Sequence, residues 1–228
     1  MLRKCFYLCF FVLTYLVSPC YAAPSYGTRM PEKNQFHLSG QTYWVQQRNL
    51  EDENGKIKSL QHFLLISYGI TDWFSLDLKG GAGDTHQTPD GGNEISYPAY
   101  MAGGYGCRVK LYDQEKTKAV FGFQHISVHP YSVFIGNVKH KAVIDDWQIS
   151  FLASRVFEYA MPYLGMRWSR MDSIHWVEDD RNRVKSDLNE SIGFIAGIDV
   201  PVHEKVWLNF EGQFLDAQAA AASIHFRF

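Results

Sequence analysis

The stretch Phe74-Ser75-Leu76-Asp77-Leu78-Lys79 decides the fold class, because apolar and polar residues alternate in it without a break. A period of two puts its apolar residues on one face of an extended strand and Ser75, Asp77 and Lys79 on the other. A helix would instead repeat its apolar residues every three or four positions. The stretch therefore predicts a β-strand with one apolar face and one charged face.

The same alternation returns along the chain, about every twenty residues. It is clear in residues 147–154, 206–214 and 223–228, softer in 97–110, 163–169 and 191–199, and less regular in 41–48, 60–68 and 119–128. Matching the chain to the period-two pattern thus predicts about ten strands.

The connections between these strands are of two kinds that follow each other in strict turn. Short turns lie at 68–73, 112–118, 157–160 and 201–205, and longer polar loops lie at 49–59, 82–94, 129–141 and 170–189, with a brief fifth at 216–219. With ten strands, every short turn falls at the end where both chain termini lie. This asymmetry is typical of outer-membrane barrels, which have short periplasmic turns and longer external loops.

The polar faces of the predicted strands carry charges of both signs, which could pair with each other inside a closed barrel. We expect the following residues to line such a lumen: Asp77, Lys79, Arg108, Lys110, Arg167, Asp199, Glu211, His225 and Arg227. Aromatic residues such as Trp73, Tyr112 and Tyr159 lie near predicted strand ends, where they suit the boundary between headgroups and hydrocarbon. A soluble β-sandwich or lipocalin-like barrel would show the same alternation in any single strand and stays open as an alternative.

The composition narrows the class of protein only a little. The chain has 228 residues, 46% of them hydrophobic and 20% charged, as expected for one ordered domain. Its formal net charge of −2 gives no indication of a nucleic-acid surface. After residue 22, no stretch approaches the ~20 apolar residues of a membrane-spanning helix.

Residues 1–22 read as a cleavable signal peptide. Arg3 and Lys4 precede an apolar run of thirteen residues, Cys5–Val17, and Ala22 completes a small-x-small cleavage site. A lipoprotein leader ending before Cys20 is an alternative. Cleavage after Ala22 leaves one barrel domain, residues 23–228, in which Cys107 is the single cysteine, so we expect no disulfide within the chain.

The end of the chain carries the sharpest local pattern. Ile224, Phe226 and the final residue Phe228 alternate with polar residues, and this segment resembles the C-terminal strand of Gram-negative outer-membrane β-barrel proteins. The resemblance implies recognition by the barrel-assembly machinery, with Phe228 as the main signal. Ala221 departs from it, since glycine is commoner there. The turn at 68–72 also looks like the hairpin turns of small barrels of this group.

Together these observations predict an all-β fold: a closed, antiparallel, up-and-down transmembrane β-barrel of about ten strands, with eight to twelve possible. Its expected surroundings are the lipid and lipopolysaccharide of a Gram-negative outer membrane, with both termini in the periplasm. Because a barrel of this size has a narrow lumen, we expect a structural component or a narrow channel for small solutes, whose external loops could bind a partner. The sequence indicates no cofactor and leaves the oligomeric state open.

One group of residues suggests an enzyme as the alternative. Asp145 and Asp146 begin a predicted strand at the external rim, and His129, His140 and His175 lie in neighbouring loops. Outer-membrane proteases of the omptin family are similar in strand count, and this likeness of architecture implies acid–base activation of a water at the rim. A lipid-A-modifying hydrolase would need a Ser–His pair near the bilayer, and none stands out. A metal site is not predicted, because His125 and His129 would lie about 13 Å apart on a strand.

Overall fold

The computed structural model describes residues 26–51, 54–178 and 180–228, with residues 180–186 described by their backbone only. The predicted signal peptide, residues 1–22, lies outside them. The described residues form twelve strands: β1 (Phe36–Asn49), β2 (Lys56–Gly69), β3 (Phe74–Thr88), β4 (Ile95–Gln114), β5 (Thr117–His129), β6 (Val133–Ile135), β7 (Val138–Arg155), β8 (Met161–Val177), β9 (Asp180–Ser186), β10 (Ile192–His203), β11 (Val206–Phe214) and β12 (Gln218–Arg227). No helix among them is long and apolar enough to cross a membrane.

Ten of these strands close into one antiparallel barrel. Their order is β1-β2-β3-β4-β5-β7-β8-β10-β11-β12, and β12 pairs again with β1, for example at Gly40 and Ile224. Neighbours in the barrel are also neighbours in sequence, apart from the insertions β6 and β9. The closed ring leaves no open sheet edge, as a strand structure in hydrocarbon requires. The predicted all-β, up-and-down barrel of about ten strands is confirmed.

Several strands run well beyond their predicted limits at the end opposite the chain termini. We call this the loop end, and the end that holds the termini the terminal end. Beyond the last β5–β7 pair, Val128 with Ile144, strand β7 pairs with β6, and beyond Trp168 strand β8 pairs with β9. A four-stranded sheet, β6-β7-β8-β9, therefore projects from the barrel. The predicted loops 129–141 and 170–189 were wrong to this extent, because histidines and charged residues there replace the apolar members of the alternation.

The two faces of the barrel wall are the reverse of those in a soluble protein. Leu78 and Leu164 point outward and are 62% and 68% exposed, whereas Asp77 and Arg167 point inward and are 3% and 2% exposed. The free thiol of Cys107 also belongs to the outer face, since its cross-strand partner is Leu76. An apolar exterior around buried charges is the arrangement of a transmembrane barrel, and it excludes the soluble alternative. The chain is an integral β-barrel of the outer-membrane type.

Exposed aromatic residues border this apolar exterior at both ends. Trp73, Tyr112 and Tyr159 lie at the terminal end. Trp147 and Trp168 lie toward the loop end, where the charged residues Asp145 and Arg170 succeed them on the same face. Amphipathic rings at both margins are what the two interfaces of a bilayer favour.

Candidate functional site

The lumen is the natural place to look for function, and its terminal half is built from paired polar groups. Arg108 donates two hydrogen bonds to the Asp77 carboxylate, both 2.9 Å long, from Nε to Oδ2 and from Nη2 to Oδ1. Lys79 donates to Gln124 Oε1 at 2.9 Å. Bidentate pairing of this kind is the strongest geometry open to an arginine and a carboxylate. Each charge on this side of the lumen therefore has a partner.

The opposite wall of the terminal half carries a second set of polar contacts. Asn209 donates through Nδ2 to Asp199 Oδ1 at 2.8 Å and to the Tyr163 hydroxyl at 2.9 Å. The same hydroxyl donates to Glu211 Oε2 at 2.7 Å. These three strands, β8, β10 and β11, thus share one buried network.

Residues 26–35, the N-terminal segment, enter the terminal end between these two walls. The buried Tyr26 ring lies 4.5 Å from Lys79 Nζ and 4.7 Å from the Arg108 guanidinium carbon. Gly27 has a φ of +74°, and a Cβ there would lie 2.9 Å from an Asp199 carboxylate oxygen. Thr28 and Ser154 share a hydrogen bond of 2.6 Å. The segment closes the terminal end through aromatic and polar contacts.

A second charged group lies near the middle of the lumen. Arg48 Nη1 donates to Asp146 Oδ2 at 2.6 Å, and Arg167 Nε donates to Asp216 Oδ2 at 2.8 Å. Arg48 Nη2 lies 3.6 Å from Asp216, which links the two pairs, and Ser169 donates to Asp146 at 2.7 Å. Four buried charges of alternating sign hold β1, β7 and β8 to the chain just before β12.

Sequence reasoning missed Arg48 and Asp216 in this group. Arg48 is the last residue of the predicted strand 41–48, and Asp216 lies in the brief connection 216–219, so neither stood on a clear polar face. The predicted lumen residues include five lysines and arginines but three acids, an excess that could have signalled a missing acid such as Asp216 but not Arg48.

The loop-end half of the lumen contains a large apolar cluster, beside buried polar residues such as Ser59, Gln61 and Thr85. The buried residues of the cluster are Tyr43, Val45, Leu50, Ile57, Phe63, Ala102, Ile126, Val128, Ile144, Met171, Leu188, Ala217, Ala219 and Ala221. The space that remains among Tyr43, Ile57, Ile126 and Asp146 is about 10 Å³, room for one water at most. The sequence placed apolar residues on the outer face only, and so gave no sign of this cluster.

The structure places the predicted lumen residues at two depths. Asp77, Lys79, Arg108, Arg167, Asp199, Glu211 and His225 are buried inside the barrel. Lys110 and Arg227 lie at the terminal mouth, where both line a cavity open to solvent. The predicted assembly residues Ile224, Phe226 and Phe228 are all on the outer face, and Phe228 is the most exposed of the three.

The five predicted rim residues do not come together. Asp146 is buried inside, whereas Asp145 faces outward, 3.6 Å from His125. His129 contacts Ser127 at 2.8 Å on the outer wall. His140 and His175 contact each other at 3.2 Å in the projecting sheet. His140 is six residues from Asp146 along β7, and His175 pairs with Ala142, four residues or about 13 Å from Asp146. The geometry assembles no acid–base site from this set.

Nothing in the described part of the chain gathers three or more histidine, cysteine or acidic side chains in a way that could hold a metal ion.

Comparison with known proteins yields likenesses of fold. No protein-family model matches the chain. No curated protein sequence matches it. Among solved structures it is similar to an outer-membrane channel from Pseudomonas putida, at 9% identity and a TM-score of 0.46, over 91% of this chain and 100% of that chain. It is similar to the outer-membrane protease OmpT from Escherichia coli, at 12% identity and a TM-score of 0.40, over 87% and 95%.

A third similar structure is the outer-membrane protein OprG from Pseudomonas aeruginosa, at 11% identity and a TM-score of 0.39, over 87% of this chain and 98% of that chain. At these identities the likeness concerns the β-barrel and extends to no residue of a functional site.

Proposed function

We propose that this chain is an integral outer-membrane barrel whose lumen is closed, and that it acts as a structural component rather than as an open channel. The observation that carries the proposal is the apolar cluster in the loop-end half of the lumen. Tyr43, Phe63 and Ile126 project into it from three different strands, and each is at most 4% exposed. A solute path through the barrel would have to cross this packed layer.

Three closures lie in series along the lumen. The N-terminal segment crosses the terminal end, the Arg48–Asp146–Arg167–Asp216 group crosses the middle, and the apolar cluster occupies the loop end. The second and third are formed by the barrel wall itself, so movement of the segment leaves them in place. Small barrels have little interior beyond what their own side chains occupy, and ten strands here follow that rule.

The proposed location is the outer membrane of a Gram-negative bacterium, reached by export through the signal peptide 1–22. The exposed aromatic end at Phe226 and Phe228 supports insertion by the barrel-assembly machinery. The short turns at the terminal end support a periplasmic position for both termini. The apolar exterior would then contact phospholipid on the periplasmic side and lipopolysaccharide on the outer side.

Conductance in planar lipid bilayers tests the closed lumen. We expect no steady current from the wild-type protein, and none from a variant lacking residues 26–33, because the wall-borne closures remain. A variant that lacks residues 26–33 and also carries Tyr43→Ala, Phe63→Ala, Arg48→Ala and Asp146→Ala weakens all three closures and should admit a small ionic current. Its matched control replaces Tyr43→Ala and Phe63→Ala by Leu64→Ala and Phe210→Ala, which remove side chains of similar size from the outer face, and should stay silent. A steady current from the wild type would contradict the proposal.

A channel gated by the N-terminal segment is the second candidate. It is favoured by the polar contacts that hold the segment. Water can replace the hydrogen bond between Thr28 and Ser154, and it can enter where Gly27 lies beside the Asp199 carboxylate. The same recording separates the two candidates. Current through the deletion variant, with a silent wild type, would establish the gated channel and overturn the closed barrel.

A further inference from the structure

The terminal end holds a cavity of about 290 Å³ between the N-terminal segment and the barrel wall, which we call the terminal cavity. Arg29 lines it from the segment, and His37, Trp207 and Arg227 line it from the wall. Its volume lies at the lower end of the range for small-molecule sites. We propose that the terminal cavity binds a small oxyanion-bearing solute, with a carboxylate or phosphate group held between Arg29 and Arg227.

The two guanidinium groups have donors to spare. Arg29 forms one ion pair, with Asp199 at 3.8 Å, beyond hydrogen-bond distance. Arg227 donates one hydrogen bond, of 3.2 Å, to the backbone oxygen of Glu204. A guanidinium offers five N–H donors in a planar fork, the shape that matches a carboxylate or phosphate. Both arginines therefore keep donors for an anion in the cavity.

The electrostatics around Arg29 favour an anion. Arg29 precedes the first membrane-spanning strand. Burial lowers the pKa of its guanidinium, and the positive charge of Arg227 lowers it further, whereas the negative charge of Asp199 raises it. An arginine stays charged under such influences, so the consequence is repulsion between two fixed positive charges. An oxyanion placed between them would replace this repulsion by attraction.

The Trp207 indole lines the cavity and contacts one of the two arginines. It is only 4% exposed, and the Arg29 guanidinium carbon lies 5.3 Å from the centroid of its ring. The His37 ring meets the indole edge-on at 5.0 Å and the His225 ring stacks on it at 4.8 Å, so the indole is held in place. This cation–π contact keeps the Arg29 guanidinium beside the cavity.

Three acidic residues line the cavity, Glu32, Asp113 and Glu204, and Glu204 accepts the hydrogen bond from Arg227 through its backbone oxygen. Asp113 is engaged by Lys110 at 2.9 Å and by Lys118 at 3.1 Å. Glu32 accepts a hydrogen bond of 2.9 Å from Gln35. The Asp113 and Glu32 carboxylates thus have partners other than Arg29 and Arg227.

The site joins the N-terminal segment to the wall. Arg29 belongs to the segment, and its carbonyl oxygen already accepts a hydrogen bond of 2.8 Å from Arg108 on β4, whereas Arg227 belongs to β12. An anion bound to both arginines would fasten the segment to the last strand of the barrel. Binding should therefore slow the release of the segment as well as stabilise the fold.

The test uses the complete folded protein in detergent, with inorganic phosphate or succinate titrated against chloride at constant ionic strength. We expect a saturable rise in the unfolding temperature and a saturable slowing, at least threefold, of trypsin cleavage after Arg29 or Lys33. The Arg227→Gln variant should lose both effects. Lys116→Gln removes one positive charge from an exposed turn at the same end and should keep them.

Phosphate and succinate identify which oxyanion the cavity prefers, and a response to either one supports the site. No saturable effect of either anion, or equal effects in the wild type and Arg227→Gln, would overturn it. Should Arg227→Gln fail to fold, tryptophan emission gives an independent readout on the wild type. A saturable change that is lost in Trp207→Phe supports the site, and a change that persists there contradicts it. The test does not depend on conductance, so it stands apart from the closed-barrel proposal.

Discussion

The two halves of the lumen close the same narrow space by opposite means. In the terminal half, Asp77 is bound to Arg108, and Asp199 to Asn209, by hydrogen bonds of 2.8 to 2.9 Å. In the loop-end half, Tyr43, Phe63 and Ile126 fill the space by volume. A polar closure depends on each group keeping its partner, whereas an apolar closure depends on total packing. Single substitutions should therefore lower the free energy of unfolding strongly in the terminal half and only mildly in the loop-end half.

The largest effect is expected from breaking one buried ion pair. Arg108→Met leaves the Asp77 carboxylate inside the barrel without its partner and should lower the free energy of unfolding by about 3–5 kcal/mol. Urea unfolding in lipid vesicles measures it. The double variant Asp77→Leu and Arg108→Met removes both charges and should recover most of the loss. If the double variant is no more stable than the single one, the terminal half does not depend on charge pairing.

A smaller effect is expected where the N-terminal segment passes Asp199. Gly27→Ala adds a Cβ at a φ of +74°, 2.9 Å from that carboxylate, and a left-handed conformation costs a non-glycine residue about 1–2 kcal/mol. Faster trypsin cleavage within the segment should follow. Gly91→Ala is the control, since its φ is +72° but nothing lies within 4 Å of the added atom. Equal cleavage rates in both variants would show that contact with Asp199 does not hold the segment.

In the apolar half a single change should be mild. Ile126→Val removes one buried methylene and should lower the free energy of unfolding by about 0.5–1.5 kcal/mol without opening a current. A loss as large as that of Arg108→Met would remove the contrast between the two halves.

The smallest effect sets a baseline for ion pairs outside the lumen. Lys58 and Glu94 are 2.8 Å apart at the loop end, with both side chains more than a third exposed, so solvent screening should hold the loss in Lys58→Met below about 1 kcal/mol. The hydrogen bond from Lys58 lowers the pKa of Glu94. The contribution is therefore present above the unfolded-state pKa of glutamate, about 4.3, and is lost as the pH falls through the lowered value. Unfolding curves at pH 7 and pH 3 measure this difference.

The sequence predicted the barrel well because lipid imposes a strict alternation on the outer face. Every predicted strand, from 41–48 to 223–228, lies within or largely overlaps a barrel strand. Around Leu76 the apolar residues face outward and the polar residues face inward, as the period of two predicts. Strand ends at the loop end could not be found in the same way. Above the membrane, residues such as His140 and His175 continue the strand without an apolar partner to mark its period.

The sequence predicted most of the charged residues of the lumen but not its apolar residues. A charged residue in an alternating strand, such as Asp77 or Arg167, must avoid lipid and so faces inward. An apolar residue such as Ile126 can lie on either face, because a packed lumen and a bilayer are equally suitable surroundings. Arg48 and Asp146 are 98 positions apart in the sequence and meet only because the barrel closes. Pairs of this kind could therefore not be predicted from the alternation within single strands.

The single cysteine of the described chain has a practical consequence. Cys107 stands on the outer wall between its cross-strand partners Leu76 and Phe123, at the depth of the hydrocarbon. Residues 23–228 hold no other thiol that could react with a label. A fluorophore can be attached to this cysteine, and its quenching by lipids brominated at successive carbons would measure how deep this part of the wall lies in the bilayer. The native sequence therefore allows the measurement without an added cysteine.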